Sequence, residues 1–369
     1  MEQTSALQME AGGAEFASAP RKPLRLTPGH VFAILGLAAY VAALALAGPA
    51  VVALFPDELS LKLGGHAIFL HNLHGRLISN FALILFVLPS ALWIEIAIVG
   101  WANSSLRAML ARPGASVRTD LAFFVLSQGH VTDLLGRVMM LGASMVSGIA
   151  IRDWLARTTG FAVDPSGLPV VLQTVLYFYV YTFFDYWTHR LDHSRWFWPL
   201  HRYHHAARDF CVLTAGRAHP AAFTGTFIIN LPMAILGASP SVMLYVNVLT
   251  LALGFLIHSR IDSDFGWVGR WVVQSPNHHR LHHKLDMSYP TGHFGMTPVW
   301  DRLFGTFGGT PSASLAIGVD TPYRHGLWIA PDLLRDYLDF WKGWFRPSRR
   351  PLAQPPEDDE QGGLKSSSC

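Results

Sequence analysis

The histidines are the residues of this chain whose type and spacing indicate a chemical role. Twelve of the 18 histidines lie between His189 and His293, and most of them fall into three short clusters. Histidines three or four residues apart share one face of a helix, so each cluster can direct two or three imidazoles at one point. Such spacing is typical of metal ligands. The clusters are His189-Arg-Leu-Asp-His193, His201-Arg-Tyr-His204-His205 and His279-Arg-Leu-His282-His283, the last preceded by His278.

The number of imidazoles predicts two metals rather than one. A zinc ion takes four protein ligands at most, and the clusters contain more histidines than that. Adjacent residues such as His204 and His205 diverge by about 100° around a helix, so neighbours can serve different metals. His219 and His258, at the two ends of an apolar segment, are further candidates because ionisable groups at membrane depth are often functional. Imidazoles suit iron, zinc, copper or nickel, and the spacing leaves that choice open.

Other residue types exclude several kinds of metal site. The chain has no Glu between Glu95 and Glu357, which excludes the carboxylate-rich core of soluble four-helix di-iron proteins. It also has no His-Glu-x-x-His motif of zinc proteases. Its two cysteines, Cys211 and Cys369, are too far apart to form a Cys-x-x-Cys unit.

Aspartates are the carboxylates nearest to the clusters. Asp185 lies four residues before His189, and Asp192 is adjacent to His193. We predict both as the catalytic carboxylates of the site, because either could accept the second N–H of a ligating imidazole and so fix its tautomer. Asp185 is alternatively a direct metal ligand.

Composition predicts a membrane protein. Charged residues make up 14% of the chain and hydrophobic residues 51%, whereas soluble domains average about 25% charged. A helix that crosses a bilayer needs roughly 20 apolar residues. The candidate spans cover residues 31–55, 77–100, 134–151 and 168–184, and residues 221–258 are predicted as a hairpin of two short helices.

The cations between these spans predict an orientation. Arginines and lysines are concentrated before the first span and after the second, the fourth and the hairpin, which places these segments on the cytoplasmic side. With six crossings, all three clusters lie on that side. We therefore predict an all-α integral membrane protein, a bundle of about four to six transmembrane helices with a cytoplasmic-side helical cap carrying the histidine clusters. The net charge of +3 comes with no basic cluster interleaved with aromatics, so nucleic-acid binding is not expected.

The order of these motifs resembles the fatty acid hydroxylase superfamily, which includes sterol desaturases, sterol methyl oxidases and alkylglycerol monooxygenase. The resemblance covers residues 168–310 and rests on the three clusters, on Arg217-x-His219-Pro220, on His258 and on the closing segment 300–306, Trp-Asp-Arg-Leu-Phe-Gly-Thr. One departure is His293-Phe294-Gly295, where many relatives have Asn-Tyr-Gly. His293 is therefore either an additional ligand or a substrate-facing residue.

The resemblance implies two iron ions held by histidines, with zinc as a possible substitute, that use O2 as cosubstrate and electrons from an external donor. The implied metal ligands are His189, His193, His201, His204, His205, His279, His282 and His283, with His219 and His258 added. The implied organisation is a flexible segment 1–27, transmembrane helices in 28–160, a catalytic domain 161–312, an amphipathic helical segment 313–346 and a disordered tail 347–369.

We therefore expect a membrane-bound oxygenase that hydroxylates, rather than desaturates, a lipid such as a sterol, an acyl chain or an ether lipid. No fused electron-transfer segment is evident, so a separate reductase is the expected electron donor. The alternatives are a zinc-dependent membrane hydrolase, which would need an Asp or a His as general base, and a non-catalytic metal carrier or transporter. The compact loops favour a bacterial inner membrane over the endoplasmic reticulum.

Overall fold

The computed structural model describes residues 28–63, 66–70, 74, 86–111, 113–128, 131–132, 139–285, 292–309 and 311–345. The predicted N-terminal segment 1–27 and tail 347–369 lie outside these residues, as do residues 77–85 of the second predicted span and 134–138 of the third.

Helices dominate the described residues, so the prediction of a helical protein is confirmed. Short 3-10 turns occupy Trp101–Asn103 and Val212–Gly216. In chain order the helices are α1 Pro28–Val52, α2 Leu88–Val99, α3 Ser105–Leu110, α4 Ala115–Gln128, α5 Leu141–Thr159, α6 Val170–Asp192, α7 Trp198–His205, α8 Thr224–Ile235, α9 Pro240–Ile257, α10 Gly266–Trp271, α11 Pro276–His282, α12 Pro298–Leu303 and α13 Ala330–Phe345.

One antiparallel hairpin is an element that the sequence analysis did not anticipate. Strand β1, Leu59–Leu63, pairs with β2, His66–Leu70, so that Leu59 lies opposite Leu70 and Leu63 opposite His66. The segment Leu-Ser-Leu-Lys-Leu alternates apolar and polar residues with the period of a strand, which is the local signal for it.

Helices α5, α6, α8 and α9 form one packed layer. Helix α8 contacts both α5 and α6, and α9 lies on α6. Their shared core includes Tyr177, Phe178, Met233 and Val242, all buried. The chain turns between α8 and α9 at Gly237, whose φ of 84° favours glycine. The predicted break in residues 221–258 is therefore confirmed as two separate helices.

A second packed region joins the N-terminal helices to the histidine-rich segments. Helix α9 contacts α2 and the 3-10 turn Val212–Gly216, and α4 contacts the same turn. Val87, Val117, Val212 and Phe255 are buried together at this junction. The N-terminal helices are thus part of the scaffold around the histidines.

Two helices within the described residues are long and apolar enough to cross a membrane, at residues 35–52 of α1 and 240–257 of α9. Helices α2 and α8 are apolar but shorter. Helix α6 begins near the start of the predicted fourth span and continues unbroken through Asp192. The first histidine cluster therefore lies on the last turn of a largely apolar helix.

Candidate metal centre

Four helix ends carry the clustered imidazoles. His189 lies in the last turn of α6, and His193 is the residue that caps it. His201, His204 and His205 lie on α7. His258 caps the C-terminal end of α9, while the third cluster is on α11, which begins at Pro276 after the N-cap Ser275. The Ser275 hydroxyl accepts a hydrogen bond from the backbone N–H of His278, so this short helix has a defined start.

Five of these histidines form the first histidine group. Their nearest ring nitrogens all lie within 4.8 Å of one another. The Nε2 atoms of His189 and His282 are 3.1 Å apart, and those of His201 and His205 are 3.2 Å apart. Two nitrogens bound tetrahedrally to one metal at 2.0–2.1 Å are about 3.3 Å apart, so these separations suit a shared ion. The group comprises His189, His193, His201, His205 and His282.

Four further histidines form the second histidine group, again with ring nitrogens within 4.8 Å of one another. His258 is central to it, because its Nε2 lies 2.9 Å from Nε2 of His279 and 3.2 Å from Nε2 of His204. His283 completes the set. Since His258 caps α9, this group joins α7, α9 and α11.

Adjacent histidines belong to different groups. His205 is in the first group and His204 in the second, and His282 and His283 are divided in the same way. The two groups meet where the rings of His205 and His283 stack with centroids 4.0 Å apart. The helix geometry predicts this divergence of neighbouring residues. The arrangement suits two neighbouring metals rather than two distant ones.

Backbone carbonyls orient several of the imidazoles. The Nδ1 atoms of His189 and His282 lie 2.7 Å from the carbonyl oxygens of Phe294 and Gly292. In the second group, Nδ1 of His258 lies 2.7 Å from the Gly254 carbonyl, and Nδ1 of His204 lies 3.2 Å from the Arg217 carbonyl. A carbonyl can only accept, so each Nδ1 carries the proton and leaves the Nε2 lone pair free for a metal.

Other ring nitrogens are buried and have no hydrogen-bond partner among the described residues. These are both nitrogens of His193 and His283 and the Nδ1 atoms of His205 and His279. Burying a polar atom without a partner is costly. A bound metal would satisfy one nitrogen of His193 and one of His283, so the residues present fit a pair of metal ions.

Burial also keeps the imidazoles neutral. It lowers the pKa of His189 and His258 to about 4. The pKa of each of the other seven histidines in the two groups also lies well below its ordinary value, with burial as the largest cause. A neutral imidazole is the form that binds a metal.

Aromatic rings enclose the two groups. Phe294 contacts the rings of His189, His193 and His282, with centroids 5.2–5.7 Å apart. Phe210 contacts His258, His279 and His283 on the side of the second group. Both rings are almost fully buried, so they exclude water from these faces of the site.

The two predicted catalytic aspartates differ in position. Asp192 lies with Oδ2 3.9 Å from Nδ1 of His201, on the ring edge away from the paired Nε2 atoms. Asp185 belongs to neither histidine group. Burial raises the pKa of both carboxyls to about 7, and the Asp185 charge adds to the shift of Asp192. Asp192 is placed to act on the orientation of His201, whereas Asp185 lies outside both histidine groups.

Three other predicted histidines lie outside both groups. The two ring nitrogens of His219 are occupied by the protein backbone, Nε2 at 2.9 Å from the Leu333 carbonyl and Nδ1 at 3.1 Å from the Ala221 N–H. Both ring nitrogens of His219 thus have backbone partners, and His219 lies outside the two histidine groups. His278 lies 2.7 Å from the Ser275 hydroxyl and stacks on His293, and His293 is near the Gly308 carbonyl. His293 is therefore not an additional ligand in this structure.

A buried ion pair supports the carbonyl behind His204. The side chains of Arg217 and Asp120 are fully buried, and the guanidinium Nε donates to Asp120 at 2.7 Å. Asp120 also accepts from the Thr214 hydroxyl at 2.9 Å, and Arg217 donates to the Ser116 carbonyl. Helix α4 thus holds the segment whose Arg217 carbonyl orients His204.

A second buried carboxylate supports the segment behind His258. Glu95 on α2 is fully buried and accepts from the backbone N–H of Arg260 at 2.7 Å. It also accepts from the N–H of Ser105 at 2.6 Å and from its hydroxyl at 2.7 Å. The Ser105 hydroxyl in turn accepts from the Val212 N–H. Glu95 therefore ties both chain segments beside the second histidine group to the N-terminal helices.

A third carboxylate organises the loop that orients the first group. Asp301 on α12 accepts from the N–H groups of Phe294 and Gly295 at 2.8 and 2.9 Å, and from the Thr306 hydroxyl at 2.7 Å. The Phe294 carbonyl orients His189. Asp301 lies in the closing segment 300–306, which was noticed in the sequence as a motif but without a role.

The supporting groups were largely missed from the sequence for a physical reason. A backbone carbonyl has no residue-type signature, so the partners of His189, His204, His258 and His282 could not be identified. Glu95 carried a usable signal as a carboxylate near the end of an apolar span. Asp120 and Arg217 are 97 residues apart, and only the fold pairs them.

Comparison with known proteins agrees with this geometry. Residues 174–306 match the family model described as fatty acid hydroxylase. Ornithine lipid hydroxylase OlsE of Rhizobium tropici is 31% identical over 201 residues, which is 53% of this chain and 58% of that protein. Alkylglycerol monooxygenase of Xenopus tropicalis is 32% identical over 124 residues, 33% of this chain and 27% of that protein. Methylsterol monooxygenase 2-2 of Arabidopsis thaliana is 27% identical over 151 residues, 38% of this chain and 54% of that protein.

The chain spans between 27% and 58% of the length of these three relatives. No solved structure matches it. The matched segment contains both histidine groups in full. Residues 174–306 are therefore a fatty acid hydroxylase domain, similar to segments of a lipid hydroxylase and of two monooxygenases.

Proposed function

We propose that this protein is a membrane-bound, O2-dependent di-iron oxygenase that hydroxylates an unactivated C–H bond of a lipid. The observation that carries the proposal is the pair of adjoining histidine groups, five and four imidazoles, built on the ends of helices. The named relatives, a lipid hydroxylase and two monooxygenases, support the same reaction class. The substrate class is a lipid such as a sterol, an acyl chain or an ether lipid.

The proposed ligands are divided between two ions. The first histidine group would hold one iron and the second histidine group the other, with zinc as a substitute in either. Bound there, iron would supply the power to activate O2 toward a C–H bond. One oxygen atom would enter the C–H bond and the other would leave as water, with two electrons from a separate reductase and two protons. The protein's own residues hold the imidazoles neutral, orient them and exclude water.

The surface of the helices that lead to the site supports a lipid environment. Val171 on α6 is 77% exposed and Val146 on α5 is 71% exposed, and further apolar residues of both helices are also exposed. Large exposed apolar surfaces of this kind mark a membrane or a partner. The first histidine group begins in the last turn of α6, so a lipid tail beside that helix would need to move little to reach the metals.

The finer topology is part of the same proposal. We infer a bundle of four to six crossings, with a helical cap that carries the histidine groups on the cytoplasmic face. The two helices that could span a membrane, and the cations that follow the apolar segments, support it. A bacterial inner membrane is the proposed location, with the endoplasmic reticulum as the alternative.

Metal content is the first test of the proposal. We expect two irons per purified, detergent-solubilised chain, with a spectrum of two coupled ions. His283→Ala should lower the content by about one ion, because it removes a ligand of the second group whose two ring nitrogens have no other partner. It should also abolish the incorporation of ¹⁸O from ¹⁸O2 into a lipid extract supplied with a reductase.

The matched control is His278→Gln, which changes a buried histidine of the same helix that belongs to neither group. Its iron content should stay at two per chain. Iron-free protein with two zincs that iron cannot replace would overturn the oxygenase in favour of a hydrolase or a structural site. Full iron content in His283→Ala would contradict the assignment of the second group.

A further inference from the structure

The C-terminal helix α13 is amphipathic, but its apolar stripe faces outward, whereas that of a helix in a soluble protein faces the core. Such a helix normally turns its apolar stripe inward and its charges outward. On α13 the outward stripe is apolar and is 42–78% exposed. Its residues, at spacings of four, three and four, lie on one face: Leu334, Leu338, Trp341 and Phe345.

Acidic residues occupy the inward face of the same helix. Asp332 and Asp336 are buried, at 6% and 0% exposure. Asp336 accepts from the Arg202 guanidinium at 2.6 Å and from the Tyr323 hydroxyl at 2.6 Å. Asp339 also accepts from Arg202, at 2.6 Å. These charge-assisted bonds fix the rotation of α13, so the apolar stripe is held outward.

Aromatic contacts place α13 beside the end of α6. The rings of Trp344 and Trp196 have centroids 4.9 Å apart, and those of Phe340 and Phe197 are 5.8 Å apart. Trp196 and Phe197 lie four and five residues after the end of α6, a helix with many exposed apolar residues. Tryptophan and tyrosine collect where a protein crosses the boundary between lipid and water. Helix α13 therefore lies beside the proposed end of the membrane span, held there by rings that flank the stripe.

Basic residues adjoin the same end of α13. Lys342 is exposed on the helix, and the sequence that follows Phe345 is Arg346-Pro-Ser-Arg349-Arg350. The sequence from 342 to 350 thus carries four cations, a composition that complements an anionic lipid surface.

We propose that α13 lies flat on an anionic bilayer surface, with Leu334, Leu338, Trp341 and Phe345 inserted among the acyl chains. The bound headgroups are anionic phospholipids, recognised by Lys342 and the arginines after the helix. Arg202 lies on α7 between His201 and His204, so its bonds to Asp336 and Asp339 connect this surface helix to both histidine groups. The membrane surface then sets the height of the metal centre above the lipid. The inference rests on the proposed membrane location but not on iron or on oxygenase activity.

Site-directed spin labelling of the full chain tests this placement. Cys369→Ser removes the C-terminal thiol, while Cys211 is fully buried. A nitroxide is then attached in turn at 334, 337, 338, 341, 342 and 345, in nanodiscs with and without phosphatidylglycerol. The ratio of oxygen accessibility to nickel-chelate accessibility should oscillate with the helical period. It should be severalfold higher at 334, 338, 341 and 345 than at 342.

The second part of the experiment tests whether insertion of the helix depends on the charge of the lipid. The ratio at 345 should be higher in discs with phosphatidylglycerol than in phosphatidylcholine alone. A variant with Arg346, Arg349 and Arg350 all changed to Gln should lose this difference. An unchanged ratio between the two lipids would overturn the anionic headgroup as the ligand.

Two results would overturn the surface placement itself. High nickel accessibility along the stripe would mean that it faces water. Low accessibility to both reagents would mean that protein, such as a second copy of the chain, covers it. Iron content is measured on the same samples, so a failure of the surface helix is distinguishable from a failure of the metal centre.

Discussion

Four of the nine imidazoles in the two histidine groups are oriented by a backbone carbonyl. In the first histidine group this is the carbonyl of Phe294 or Gly292, and in the second it is the carbonyl of Gly254 or Arg217. A carbonyl fixes both the tautomer and the rotation of a ring, and it carries no charge that would compete for the metal. The positions of these carbonyls therefore determine which nitrogens can converge.

His219 belongs to a motif of the sequence but lies outside both histidine groups, and a substitution can test whether it binds a metal. Because both of its ring nitrogens are held by the backbone, His219→Gln should keep two metals per chain. Its effect should be on the attachment of α13, which supplies the Leu333 carbonyl. Metal analysis and thermal unfolding measure the two effects separately, and the loss of a metal would show that His219 is a ligand.

The Asp120–Arg217 pair makes a prediction about stability. Asp120→Asn leaves a buried guanidinium without its counter-charge, and the removal of one partner of a buried pair costs about 3–5 kcal/mol. It should also weaken iron binding in the second group through the Arg217 carbonyl behind His204. Denaturant unfolding of the solubilised protein, with iron content, tests both effects.

The matched control is Asp209→Asn. Asp209 pairs with Arg260, but its side chain is 47% exposed, and exposed pairs contribute about 0–1 kcal/mol. Equal losses of stability in the two variants would mean that the Asp120–Arg217 pair has no special structural role.

At the scale of elements, close approach between helices gives α8 its position. Helix α8 packs against α5 at Gly148, where an added Cβ would lie 2.4 Å from Cβ of Ala234. Because α8 also contacts α6, which carries His189, a shift at this contact can reach the first histidine group. Position 148 requires a small residue because the backbone of α8 lies close to it, and helix propensity is not the reason.

Gly148→Ala should therefore destabilise the protein, since backbone atoms of Ala234 and Ile235 lie 3.2 Å from the new Cβ and cannot move independently. We expect a lower unfolding temperature of the solubilised protein. Gly142→Ala in the same helix is the control, because no atom lies within 4 Å of its Cβ. That change should be neutral or stabilise by about 0.5–1 kcal/mol. A stability gain in both variants would contradict the close contact.

At the scale of the whole molecule, the two histidine groups join parts of the chain that are distant in sequence. The two groups connect α6, α7, α9 and α11. A ligand that binds only the folded state stabilises it, by about 2.7 kcal/mol for each site at a concentration 100 times its Kd. His193 and His283 add to the effect, because binding would give each of them a partner for one buried ring nitrogen.

Removal of metal should accordingly lower the unfolding temperature, and anaerobic addition of ferrous iron should restore it. Differential scanning calorimetry with metal analysis on the same sample measures the change. The midpoint should rise steeply until two ions are bound per chain and then only logarithmically with excess free iron. An unfolding temperature that does not depend on metal would contradict a centre that joins four helices.

From the sequence alone, the candidate ligands, the two-metal arrangement and the helical class could be predicted. These depend on local periodicity: residues three or four apart share a helix face, and adjacent residues such as His204 and His205 diverge. The β-hairpin carried a similar local signal in its alternating leucines but was not recognised. Eight of the ten predicted ligands came from the three clusters, where this periodicity applies.

Tertiary structure decided what local spacing does not contain. It brought His258 into the second histidine group and left His219 on the backbone, although both were predicted from their places at the ends of one apolar segment. The tertiary structure also determines which backbone carbonyls contact the imidazoles. It pairs Asp120 with Arg217 and places aspartates of α13 on the inward face of that helix. Each of these depends on which distant segments pack together, because hydrogen bonds and burial are properties of the folded chain and not of residue spacing.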